Sequence, residues 1–126
     1  MSPFVSLLRL APPLLAVYLI VVVFATFGAR MLYPFDLEWM EGGMLTHTWR
    51  LAHGQQLYVV PSTDFIPFIY PPGYPAILAW LSNWFALDYP LGRAVSIAGT
   101  LLSALAVLLT VRLASNHASG WRYGLI

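Results

Sequence analysis

The sequence predicts an all-α membrane protein, with two transmembrane helices joined by an external loop that carries juxtamembrane helices. Three observations lead there. Two apolar runs, Ala11 to Ala29 and Ala94 to Val111, approach the length of a bilayer crossing. Only 9% of the 126 residues are charged and 60% are hydrophobic. A soluble domain carries about 25% charged and 45–50% apolar residues, so a soluble fold of this composition could not cover its own side chains. Finally, all five carboxylates (Asp36, Glu38, Glu41, Asp64 and Asp88) fall between the two runs.

The first span is placed at residues 10–30, between Arg9 and Arg30. As a helix its apolar run rises roughly 28 Å, against a hydrocarbon core of about 30 Å. Pro12 and Pro13 are expected in its first turn, where a missing N–H costs little. A cleaved signal peptide is the competing reading. Its apolar region would be overlong, and Phe27, Gly28 and Ala29 make a poor small-x-small cleavage site.

The loop is assigned to residues 31–92, with helices near 37–53 and 73–87. Leu37, Met40, Met44, Thr48 and Leu51 recur at three- and four-residue steps, giving one mostly apolar face. Asp36 is the expected N-cap of this helix and Gly54 its stop. Its amphipathic pattern suits a membrane surface. Asp36, Glu38 and Glu41 then cluster at its start, where acids also complement the helix dipole. His47 and His53 are six apart and share no helical face. With Glu41 they could approach a metal, but surface histidines are the expectation.

Pro61, Pro67, Pro71, Pro72 and Pro75 exclude regular helix or central strand over most of the connection. That leaves either a stiff connector or the wall of a pocket. The apolar stretch Tyr74–Leu87 is short for a crossing and reads as interfacial or re-entrant, with a shallow third crossing as the alternative. Trp80, Trp84 and Tyr89 fit the headgroup level.

The second span is placed at residues 93–112, between Arg93 and Arg112, followed by a short tail at 113–126. Ser96, Gly99, Thr100, Ser103, Ala106 and Thr110 form a small-residue face that lets another helix approach closely in lipid. Arginine lies on both sides of each span, so charge orients the chain only weakly. The reading is that both termini are cytoplasmic and the loop is outside.

A net charge of +1 leaves no basic patch for nucleic acid. The absence of cysteine excludes disulfides, thiolate metal sites and cysteine nucleophiles. There is no H-E-x-x-H motif, no phosphate-cradling glycine loop and no nucleophile elbow.

The ordered motifs along this loop resemble those of the polytopic glycosyltransferases of the C superfamily, which include protein mannosyltransferases and lipid A aminoarabinose transferases. A first span is followed by Asp36-Leu37-Glu38 and then by a helix ending in Ala52-His53-Gly54-Gln55-Gln56-Leu57-Tyr58. Tyr70-Pro71-Pro72-Gly73-Tyr74-Pro75 comes next, and Gly92-Arg93 opens the following span. The resemblance implies transfer of a sugar from a polyprenyl-phosphate-type lipid donor to an acceptor hydroxyl on the outer face of a bacterial plasma membrane.

It also implies that Asp36 is the catalytic carboxylate, with Glu38 its acidic neighbour. A carboxylate within hydrogen-bond reach can take the proton of a hydroxyl as the new bond forms. The departing lipid phosphate needs a cation. Arg93, or a divalent metal held by Asp36 and Glu38, would supply it. Arg93 read on its own simply snorkels at a span end. Tyr70, Pro71 and Pro72 are the expected pocket wall. Several relatives carry a lysine where this chain has Tyr70, which puts that phosphate contact in question.

The expectation is therefore the amino-terminal part of a longer polytopic enzyme, inactive on its own and packed with further transmembrane helices. A small two-span accessory subunit without catalysis is the alternative.

Overall fold

The computed structural model describes residues 3–115, and side chains from residue 10 onward. Four helices follow one another, with no strand among the described residues: α1 (Pro3–Met31), α2 (Trp39–Ala52), α3 (Gly73–Leu81) and α4 (Tyr89–Ser115). The chain divides into two compact units. One comprises residues 31–96; the other is built on α1 and on α4 from Ile97 onward.

Two of the helices are long and apolar enough to cross a membrane: α1 over its 22 residues Leu10–Met31, and α4 over its 27 residues. They would rise about 33 and 40 Å. Their apolar side chains are exposed, among them Leu14, Val21 and Phe24 on α1 and Leu102, Val107 and Leu113 on α4. The expected bounds shift at three ends. The first helix starts at Pro3, so Pro12 and Pro13 lie inside it rather than in its first turn. Pro3 occupies the opening position that suits proline's fixed φ.

The fourth helix starts at Tyr89, four residues before Arg93, because Asp88 caps it. The Asp88 Oδ1 accepts the Leu91 N–H at 3.0 Å, and Pro90 sits in the first turn, where no N–H is needed. It also runs on to Ser115, into the segment expected to be tail. The remainder of that segment lies outside the described residues.

Helix α2 begins at Trp39, and its N-cap is Glu38 rather than Asp36. Glu38 has extended backbone (φ −150°, ψ 139°), and its Oε2 accepts the Met40 N–H at 3.1 Å. The helix ends at Ala52, with His53 as C-cap. Gly54 follows at φ +68°, the left-handed conformation that closes a helix at little cost only for glycine.

Helix α3 stops at Leu81, well short of the expected 87. Polar side chains end it: Ser82 Oγ donates to the Ala79 carbonyl and Asn83 Nδ2 to the Trp80 carbonyl. Nine residues rise only about 14 Å, too short to cross a bilayer.

Within residues 31–96, α2 packs against α3. Leu78 and Thr48 are fully buried, and Leu57, Phe65 and Pro75 join them. His47 is buried too, contrary to the surface histidine expected. The proline-rich segment folds back over it. The Phe68 N–H donates to His47 Nε2 at 2.8 Å, while Nδ1 lies 2.7 Å from the Gly43 carbonyl. With Nε2 accepting from Phe68, Nδ1 is the ring nitrogen placed to donate to the Gly43 carbonyl. The Phe68 ring stacks on the imidazole at 4.6 Å, and Phe65 closes the other side at 4.9 Å. Arg50 covers Phe65 at 4.1 Å and ties the loop with bonds from Nε and Nη2 to the Gln56 carbonyl.

This packing leaves no room at Gly43. A Cβ there would stand 2.5 Å from two Phe68 ring atoms. Gly43→Ala is expected to lower stability by about 1–3 kcal/mol, the usual cost of overpacking, as read by thermal unfolding in detergent. An unchanged midpoint would mean the Phe68 ring is free to swing aside.

Candidate functional site

The junction between α1 and α2 gathers the acids, and each has a defined task. The Asp36 Oδ1 accepts the Gly42 N–H at 2.9 Å, and its carboxylate lies near the Tyr89 phenol. Glu41 reaches back to the Leu37 N–H at 2.8 Å through Oε2. It also binds Arg93, with Nε–Oε1 at 3.0 Å and Nη2–Oε2 at 2.8 Å. The same guanidinium donates to the backbone carbonyls of Tyr33 and Phe35. Arg93 is only 8% exposed, and the Tyr89 ring lies 5.3 Å from its guanidinium.

Arginine's planar fork explains the choice of residue. It meets a carboxylate in two parallel bonds and still reaches carbonyls on its other edge, which a lysine ammonium could not do. Arg93 therefore acts as an internal clamp. It does not snorkel, and its guanidinium points at Glu41 and the 33–35 backbone.

Beside this junction is a cleft of about 430 Å³, within the range of small-molecule pockets. Glu38 and Glu41 supply its charge, Met40 and Met44 its floor, and Tyr70, Pro71, Tyr74 and Pro75 its wall, with Ser96 at one side. Among the described residues no cationic side chain lines it. The wall is tied down at two points. The Tyr58 hydroxyl donates to the Tyr70 carbonyl at 2.7 Å, and the Tyr74 hydroxyl donates to the Gly92 carbonyl at 3.0 Å.

Of the residues singled out in the sequence, Glu38, Tyr70 and Pro71 come together here. Pro72 instead caps the start of α3, and Pro75 takes its place in the wall. Asp36 is not among the lining residues; its carboxylate is held by the N–H of Gly42, next to Glu41 in the chain.

Glu41 is the residue that sequence reasoning undervalued. A signal was available: an arginine entering an apolar helix needs an acidic partner, and Glu41 is three residues after Glu38, an acid already suspected. The burial of His47 carried no local signal, because the ring that covers it comes from Phe68. Among the described residues no three His, Asp or Glu side chains converge on a common metal position. One oxygen each of Asp36 and Glu38 accepts a backbone N–H, and both oxygens of Glu41 bind Arg93.

Comparisons with protein-family models, curated proteins and solved structures give no match.

Proposed function

We propose that this chain is the acidic first-loop portion of a membrane glycosyltransferase of the C-superfamily type. It takes a sugar from a polyprenyl-phosphate-type donor on the outer face of a bacterial plasma membrane. The observation that carries this reading is the position of the carboxylates. Asp36 and Glu38 lie within seven residues of the end of a helix long enough to span a bilayer, beside a cleft walled by aromatic and proline residues.

In this reading α1 and α4 are inserted in the membrane, residues 31–92 face outward, and further helices complete the enclosure. Asp36 takes the acceptor's proton. Its bond from Gly42 orients it, and the Arg93–Glu41 clamp positions the backbone that carries it. With Arg93 committed internally, the charge on the leaving phosphate is met by a cation from the completing helices.

Membranes containing this chain together with the helices that complete it, supplied with the host's lipid-linked sugar pool, are expected to release polyprenyl phosphate faster than membranes lacking them. Equal release would remove the enzyme reading and favour a two-span accessory subunit, for which the small-residue face of α4 is suited.

A further inference from the structure

We infer that residues 65–87 form an anchor seated in the lipid headgroup layer, which holds the mouth of the cleft at the bilayer surface. From Phe65 to Leu87 the chain has no charged residue. Folding does not hide that segment. Ile66, Ile77, Trp80, Trp84 and Phe85 are half or more exposed, and Ile69 is 95% exposed. Helix α3 buries Pro75 and Leu78 against its own unit but presents Ile77 and Trp80 outward, so it is apolar on both faces. A helix that is apolar all round belongs in a core or in lipid.

Three features select the lipid interface over another protein surface. Trp80 and Trp84 meet edge to face at 4.8 Å, and Tyr70 is exposed nearby in sequence. Rings with one polar edge are the side chains favoured at the headgroup level. Contacts between helices in lipid are instead enriched in small residues; here Gly73 and Ala76 are exposed, but the bulkier Ile77 and Trp80 stand exposed on the same helix. Residues 65–72 are irregular, and lipid-exposed irregular backbone is not tolerated in the hydrocarbon core, so the segment lies shallow.

The same stretch supplies Tyr70, Pro71, Tyr74 and Pro75 to the cleft wall. Anchoring it therefore fixes the cleft opening within reach of groups borne on lipids. The placement deepens the proposed function but does not depend on catalysis.

The chain has no cysteine, so single nitroxide labels can be attached without background. The test uses the full chain in phosphatidylcholine vesicles, labelled at Ile69→Cys or Ile77→Cys, with Thr63→Cys as the aqueous reference. Accessibility to oxygen and to a water-soluble nickel chelate gives depth. Both anchor sites are expected about 5–10 Å inside the headgroup–acyl boundary, and position 63 in water. Native tryptophan fluorescence, quenched by shallowly brominated lipid, provides a second measurement if a label perturbs folding. Labels at full water accessibility, labels at the bilayer centre, or labels shielded from both reagents by protein would each overturn the anchor.

Discussion

Arg93→Met is expected to destabilise the unit formed by residues 31–96 by about 3 kcal/mol. The variant keeps a long, unbranched side chain, so the apolar packing of the stem is largely retained. It loses the fork that binds Glu41 and the carbonyls of Tyr33 and Phe35. Removing one partner of a buried ion pair typically costs about 3–5 kcal/mol, because the other charge is left without compensation. Glu41 retains a quarter of its exposure, so water relieves part of that cost and the low end applies. The double variant Arg93→Met/Glu41→Gln is expected to lose less than the sum of the two single changes, since both remove the same interaction. Thermal unfolding in detergent and chymotryptic cleavage of the 53–72 connection would measure this. A variant as stable as the parent, yet weakened in binding polyprenyl phosphate, would move Arg93 from clamp to donor ligand.

Asp36→Asn is expected to leave folding intact and to lower glycosyl transfer about 10²–10⁴-fold, the usual contribution of a positioned general base. Asparagine retains an oxygen that can accept the Gly42 N–H, and it nearly matches aspartate in size and shape. What it loses is the capacity to take a proton. Unfolding midpoints close to the parent's, together with the collapse in rate, are the expected pair of results. Transfer at the parental rate would remove Asp36 from the reaction. Glu38→Gln is the natural companion, because Glu38 caps α2 through an oxygen that glutamine also possesses.

The helices and their order were legible in the sequence because length and apolar composition alone determine them. The two long runs, the periodic face of α2 and the glycine stop at Gly54 all reappear. Their ends were less legible, because ends depend on single side chains. Glu38 displaced Asp36 as N-cap, Asp88 pulled α4 back to Tyr89, and Ser82 with Asn83 cut α3 short. Tyr70 and Pro71, expected as a pocket wall, line a cleft beside the acids, and Pro75 rather than Pro72 joins them there. The Glu41–Arg93 pair and the burial of His47 arise from residues far apart in sequence, which no window of local pattern contains.

The bonds from Arg93 to the carbonyls of Tyr33 and Phe35 join the beginning and the end of the segment between the long helices. Topologically that segment is a closed ring, fastened by one side chain where it leaves and re-enters. The entropy of closing such a ring grows only slowly with its circumference. Its contents can therefore lengthen or change, at the exposed turn around Ser62 and Asp64 for example, without prying the fastening apart. A scaffold of this kind lets the loop vary in length and sequence while the carboxylates stay where they are.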